Sequence, residues 1–188
     1  MSRIAFVLGE DFEDSEFRIP YDGLRASGHQ IDVIGADEGD SVAGKKGREH
    51  VKIDVAVEKA DPDAYAALVI PGGYSPDHLR MDPQMVAFVE RMVKSGKLIA
   101  AVCHGAQLLI EANAVRGKTM TSWPSVKTDL ENAGARWVDK EVVVDGQLIT
   151  SRKPDDLQAF TQMIDHQLGA PPEQRGATVN RRPAHPRH

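Results

Sequence analysis

Residues 97–105 read KLIAAVCHG, an apolar run that ends in Cys103, His104 and Gly105. The run predicts a buried strand, and the pattern of residues 106–114 predicts a helix after a very short turn. A strand joined to a helix by so tight a turn is typical of a nucleophile elbow, which lifts one side chain above the edge of the sheet. The stretch therefore indicates an α/β fold with a thiol at the rim of its sheet.

Comparable apolar runs recur along the chain and predict further buried strands at residues 4–8, 31–35 and 66–70. Residues 41–57 alternate and favour a half-exposed hairpin or edge strand. Helical patterns separate the strands, and Pro20 is expected to kink or start the first helix. Strands that alternate with helices predict a three-layer α/β sandwich with a mostly parallel, flavodoxin-like central sheet and a small β-hairpin.

Composition favours one ordinary globular domain. The chain has 188 residues, of which 41% are hydrophobic and 27% charged. We expect a single domain over residues 1–170 and a Pro- and Arg-rich C-terminal tail over 171–188. No apolar run approaches the roughly 18 residues of a membrane span, and the first strand is too short for a signal-peptide core, so we expect a cytoplasmic protein.

Charge and cysteine content exclude several classes of protein. The net charge is −5, and it is −8 without the tail, so the body offers no general surface for nucleic acid or anionic lipid. The single cysteine, Cys103, excludes intrachain disulfides and thiolate metal clusters. We expect no cofactor and no metal.

The carboxyl ends of the strands are where an open α/β sheet binds ligands. There the backbone amides at the start of the helix would favour the ionised form of the Cys103 thiol. The alternative is that Cys103 is a small, buried apolar side chain with no chemical role. Gly73 follows another strand and could bring backbone amides to an oxyanion, or it could belong to a plain turn. Glu13 could be a desolvated carboxyl that shuttles a proton, or part of a solvated acidic face.

Three further side chains are weaker candidates. His104 adjoins the thiol in sequence, but neighbours on a turn rarely point the same way, so a Cys–His pair is not assured. Asp77 and His78 lie in the segment after Gly73. The stretch 39–46 matches Gly-x4-Gly-Lys, but it has Lys46 where a phosphate loop needs Ser or Thr and it precedes a hairpin, so we reject nucleotide binding there.

Taken together, these residues resemble the ThiJ/PfpI family of the class I glutamine-amidotransferase-like superfamily, which includes the parkinsonism-associated deglycase. The resemblance is closest to the intracellular protease I subgroup and is carried by segments 11–17, 68–77, 101–105 and 141–146. It implies that Cys103 is the nucleophile, that Glu13 is the acid in contact with it, and that the amides of Gly73 and His104 bind an oxyanion. It also implies a homo-oligomer, a dimer or hexamer, in which Asp77 of one subunit pairs with His104 of another.

The resemblance leaves three functions open. The first is a cysteine-dependent stress-response hydrolase that acts on methylglyoxal-derived groups in proteins or nucleotides, with nucleic acid only as a substrate. The second is an ATP-independent intracellular peptidase, which needs an acid to protonate the amine leaving group. The third is a redox sensor or chaperone in which Cys103 is oxidised. Because a small site with one thiol and one carboxyl suits a small carbonyl substrate, we expect the first.

Overall fold

A computed structural model describes residues 1–170; the expected tail at 171–188 lies outside the described residues. The strands are β1 (Arg3–Val7), β2 (Gln30–Gly35), β3 (Ser41–Ala43), β4 (His50–Lys52), β5 (Val55–Ala56), β6 (Ala67–Ile70), β7 (Leu98–Val102), β8 (Thr119–Met120), β9 (Arg136–Trp137), β10 (Val142–Asp145) and β11 (Leu148–Ser151). The helices are α1 (Asp14–Ala26), α2 (Ser75–Leu79), α3 (Pro83–Lys94), α4 (Ala106–Glu111), α5 (Lys127–Asn132) and α6 (Leu157–Gly169).

The central sheet has seven strands in the order β10-β11-β7-β6-β1-β2-β5. Every neighbouring pair is parallel except β10 and β11, which form an antiparallel hairpin around the turn at Gly146. The central strands β1, β6 and β7 are apolar on both faces because helices cover both sides. The predicted three-layer sandwich with a mostly parallel sheet is confirmed.

Alternate residues of each strand enter two separate cores. Ala5 and Val7 of β1 face a core that α3, α4 and α5 cover, whereas Ile4 and Phe6 face a core that α1 and α6 cover. This alternation follows from the two-residue period of a strand. Cys103 belongs to the second core, so the thiol lies on the side of the sheet that α1 covers.

One detail of α1 differs from the expectation, whereas the expected small β-hairpin is confirmed. Pro20 lies in the middle of α1, which begins six residues earlier at Asp14, so the alternative that Pro20 starts the helix is wrong. The segment 41–57 divides into the β3–β4 hairpin and the short edge strand β5. The hairpin folds back toward the end of β1, where Gly44 pairs with Phe12 through a β-bridge.

The topology brings the ends of three adjacent strands together. The segment after β1 is bridged to the segment after β6 through Phe12 and Gly73, and the amide of Tyr74 donates to the carbonyl of Asp11 at 2.8 Å. The turn after β7 places Cys103 beside them. No helix within residues 1–170 is long and apolar enough to cross a membrane.

Burial of Leu68 in the core should contribute strongly to the stability of the fold. Leu68 in β6 is fully buried at the centre of the sheet, so Leu68→Ala should lower the free energy of unfolding by about 2 to 5 kcal/mol, through lost burial and the cavity it leaves. Met81→Ala is the control because Met81 is 81% exposed. Urea denaturation of both variants measures the difference, and equal midpoints would contradict the assigned core.

Candidate active site

The turn after β7 holds Cys103 in a strained backbone conformation. Its φ is +59°, in the left-handed region that residues other than glycine rarely adopt. A 3-10 turn over Cys103–Gly105 leads directly into α4. A Cβ on Gly105 would lie 2.5 Å from the carbonyl oxygen of Ile70, so only glycine allows the turn to pass this close to β6. This is the elbow geometry that the sequence predicted.

The carboxyl beside the thiol is that of Glu16, in the first turn of α1. Glu16 is fully buried, and its Oε1 accepts a hydrogen bond from the amide of Gly72 at 2.9 Å. A Cβ on Gly72 would lie 2.5 Å from Glu16 Oε1 and 2.9 Å from the Cβ of Cys103. The absence of a side chain at Gly72 therefore allows the carboxyl and the thiol to meet, and each perturbs the pKa of the other.

Burial keeps Glu16 protonated at neutral pH. Burial, and then the negative charge of Glu13, raise the pKa of Glu16 to about 8. Oε2 of Glu16 has no hydrogen-bond partner within residues 1–170. Protonation leaves no unpaired negative charge on this buried oxygen and gives the carboxyl a proton that it can donate.

The pKa of Cys103 reflects opposing effects. Burial, and then the charge of Glu16 when it is ionised, raise the pKa of the thiol, whereas hydrogen bonds from the amides of His104 and Gly73 lower it. The expectation that those amides favour the thiolate is right in direction, but burial outweighs them. Because one negative charge discourages the second, Cys103 and Glu16 titrate as a coupled pair that holds its last proton tightly.

Glu13 does not occupy the position that the sequence suggested. Its carboxylate binds the ammonium groups of Lys45 at 2.7 Å and Lys46 at 2.8 Å. Burial alone would raise the pKa of Glu13, but these hydrogen bonds and charges outweigh it and lower the pKa. The expectation that Glu13 is the protonated acid against the sulfur is therefore corrected: Glu16 lies one helical turn further along and points at the thiol instead.

His104 does contact the thiol, although adjacent residues on a turn rarely do. Its Nδ1 lies 3.3 Å from the sulfur and its Nε2 lies 3.3 Å from the hydroxyl of Ser125. The ring stacks on Trp123 with the centroids 6.5 Å apart. Burial, and then the charge of Lys45, lower the pKa of His104, so the imidazole is neutral at pH 7 and could accept the thiol proton.

A cavity of about 370 Å³ opens beside the elbow and is lined by Lys45, Gly73, Tyr74, Asp77, His104 and Gln107. Within the described chain, His104 bonds to Cys103 and Ser125, and Asp77 shares its cavity without binding it. His78 points elsewhere, toward Asp11 at 3.8 Å. No group of His, Cys, Asp and Glu side chains in residues 1–170 is arranged to hold a metal ion.

Comparison with known proteins assigns the chain to a family. The model of the DJ-1/PfpI family matches residues 2–167. The chain belongs to the DJ-1/PfpI family. It is 46% identical over 169 residues to "Protein/nucleic acid deglycase 2" of Escherichia coli K12, a match that covers 89% of this chain and 98% of the relative.

Two further proteins are similar to this chain. The chain is 45% identical over 161 residues to "General stress protein 18" of Bacillus subtilis, with 85% of this chain and 94% of that protein covered. The crystal structure of Drosophila melanogaster DJ-1beta superposes with a TM-score of 0.83 at 31% identity and covers 89% of this chain and 91% of that one. The fold is that of the family.

A signal for Glu16 is present in the sequence. Glu16, Pro20 and Leu24 are spaced four residues apart and lie on the buried face of α1. An acid at an apolar position of an amphipathic helix must be buried, and a buried carboxyl is a candidate for function. Lys45 carries no comparable signal, because only the folding of the hairpin brings it to the cavity.

Glu16→Gln should alter how stability depends on pH. The folded protein holds a proton on Glu16 between about pH 4.5 and 8 that the unfolded chain has released, so the wild-type free energy of unfolding falls as pH rises through this window. The glutamine variant has no proton to release at this position and lacks this loss. The free energy of unfolding of the variant, relative to that of the wild type, should therefore rise by a few kcal/mol between about pH 4 and pH 9, because one pKa unit corresponds to about 1.4 kcal/mol.

Urea unfolding at several pH values measures this difference. Glu111→Gln is the matched control, an exposed Glu-to-Gln change on α4 that removes only a surface ion pair with Arg80. A difference between Glu16→Gln and wild type that stays constant across the whole range would contradict the protonated state of Glu16.

Proposed function

We propose that this protein is a cysteine-dependent deglycase that removes methylglyoxal-derived groups from amines. The observation that carries the proposal is the buried, protonated Glu16 against the Cys103 thiol, with the amides of Gly73 and His104 directed at the same sulfur. The names of the two bacterial relatives, a deglycase and a stress protein, support it.

Each step of such a reaction needs a group that this site supplies. The sulfur of Cys103 bonds to the aldehyde carbon of the adduct as the amine leaves with a proton, giving a hemithioacetal. A proton then moves from that carbon to the adjacent carbonyl carbon, which oxidises the first and reduces the second and yields a thioester. Water hydrolyses the thioester to lactate and restores the thiol. The sum is adduct plus water giving amine plus lactate, with no external oxidant.

We assign the proton transfers to Glu16 and the stabilisation of the carbonyl oxygen to the amides of Gly73 and His104. Glu16 has a pKa of about 8, close to neutrality, so it can both give and take a proton. No cofactor is required by this sequence of steps. We expect the assembled protein to be a homo-oligomer, in which Asp77 of one subunit approaches His104 of another.

Lactate release from methylglyoxal adducts of an amine tests the proposal. Cys103→Ser should abolish it, and Glu16→Gln should slow it by about 100-fold or more, the usual contribution of general acid–base catalysis. Glu111→Gln should match the wild type. Such adducts also dissociate spontaneously to free methylglyoxal. The rate of lactate release must therefore rise with enzyme concentration beyond the rate of spontaneous dissociation, which shows that the enzyme acts on the adduct itself. Equal rates for wild type and Cys103→Ser would contradict the proposal.

A peptidase is the second candidate, favoured by the 3.3 Å approach of His104 to the sulfur. For this activity, purified wild type should cleave a denatured protein, and His104→Ala and Cys103→Ser should not, because the imidazole must take the thiol proton and return it to the amine. Cleavage that persists in both variants would exclude the site as its source. Sulfinate formation on Cys103 without lactate release would favour the redox-sensor alternative instead.

A further inference from the structure

The tip of the β3–β4 hairpin reaches the active site. This tip, residues 44–47, contains the two lysines of the stretch that matches a phosphate loop in sequence alone. The amide of Lys45 donates to the carbonyl of Phe12 at 2.9 Å, and the side chain of Lys45 lines the cavity that also contains Gly73 and His104. A positively charged side chain from a distant part of the sequence thus faces the substrate space.

The tip is held in place by a buried carboxylate. Asp14 accepts hydrogen bonds from the amides of Lys46 at 2.9 Å, Arg48 at 3.1 Å and Glu49 at 3.0 Å. Glu49 in turn binds Arg18 of α1 at 2.8 Å. Because the backbone of the tip is bonded to the start of α1, the position of Lys45 is set before any substrate arrives.

At the side chains of the tip, two ammonium groups face one carboxylate, whereas the charge of Asp14 is directed at backbone amides. Glu13 is buried and shared between Lys45 and Lys46, so one carboxylate faces two ammonium groups. Glu16 is protonated at neutral pH and therefore supplies no second anion there. The hydrogen bond that Lys45 donates to Glu13 raises the pKa of Lys45, which stays charged.

The other charged side chain of the cavity is Asp77, on α2. Asp77 is exposed, and water and salt screen its charge. The side chain of Lys45 is 36% exposed and its ammonium group is bound by the buried carboxylate of Glu13, so its positive charge has a fixed position at the cavity.

We propose that Lys45, supported by Glu13 and Lys46, forms an anion subsite beside Cys103, so that the site prefers substrates with a carboxylate or phosphate near the reacting carbonyl. The substrate class rests on the proposed function, whereas the anion subsite does not. Glu13 acts in this scheme as a positioning residue, because its carboxylate holds the ammonium group of Lys45 at 2.7 Å and is itself bound by Lys46.

Alkylation of Cys103 tests the subsite without any enzymatic turnover. Iodoacetate and iodoacetamide are similar in size and differ in charge, and the chain has no other cysteine. The rate constant for iodoacetate is divided by that for iodoacetamide in the folded protein. This ratio is then divided by the same ratio in the urea-unfolded chain, which removes the intrinsic difference in reactivity between the two reagents. We expect this normalised ratio to be at least about 5 in the wild type, because a fixed positive charge concentrates anions at the thiol.

Lys45→Gln should bring the normalised ratio to about 1, and Lys45→Arg should retain most of the preference. Lys97→Gln is the matched control, since Lys97 precedes β7 at the opposite end of the sheet. High salt should lower the ratio in the unaltered protein, which tests the charge even where a variant is misfolded. A wild-type ratio near 1, or a preference that survives both Lys45→Gln and high salt, would overturn the subsite.

Two substrate pairs then separate the sources of the anion. Methylglyoxal hemithioacetals of N-acetylcysteine and of its amide differ by a carboxylate, and methylglyoxal adducts of guanosine monophosphate and of guanosine differ by a phosphate. In one of these pairs, the wild type should turn over the charged member about fivefold faster or more, and Lys45→Gln should show no such preference. That pair identifies whether the subsite binds a carboxylate or a phosphate. Turnover of all four at equal rates would refute the substrate class, whereas turnover of none would refute the proposed function and leave the alkylation result unaffected.

Discussion

The close approach of the Glu16 carboxyl and the Cys103 thiol around Gly72 is the constraint on which the rest of the site depends. Two acidic groups in a water-poor space cannot both ionise at neutral pH, so the pair retains a proton. A retained proton on Glu16 is what gives the site a donor next to its sulfur. Any side chain at Gly72 would push the two groups apart, since it would lie within 3 Å of both.

Three parts of the fold maintain this arrangement. The end of β7 strains Cys103 into a left-handed conformation, and the neighbouring end of β6 supplies the amides of Gly72 and Gly73. The start of α1 supplies Glu16, and the same helix start anchors the hairpin tip through Asp14. The acidic segment after β1 therefore does two jobs: one carboxyl contacts the thiol, and the other two hold a lysine-bearing turn over the cavity.

The three acids Glu13, Asp14 and Glu16 have different roles because their charge states differ. Glu16 has one amide donor and stays protonated, whereas Asp14 and Glu13 receive several donors each and stay ionised. Carboxyls only a few residues apart can thus differ in charge because their donors differ. The same difference leaves a positively charged Lys45 in the lining of the cavity, beside a neutral Glu16, which is suitable for a substrate that carries an anion outside its reacting carbonyl.

The sequence by itself determined the layered α/β class, the parallel central strands and the elbow at Cys103, because hydrophobic periodicity and a strand ending in a tight turn are local properties. It also indicated that one acid near the N-terminus would meet the thiol. Only the tertiary structure decided which one, because the rotation of α1 against the sheet buries Glu16 and turns Glu13 toward Lys45. The contact between His104 and the sulfur depends on a single backbone angle, the positive φ of Cys103. The approach of the hairpin tip depends on packing between segments that are distant in sequence. Local sequence patterns indicate neither.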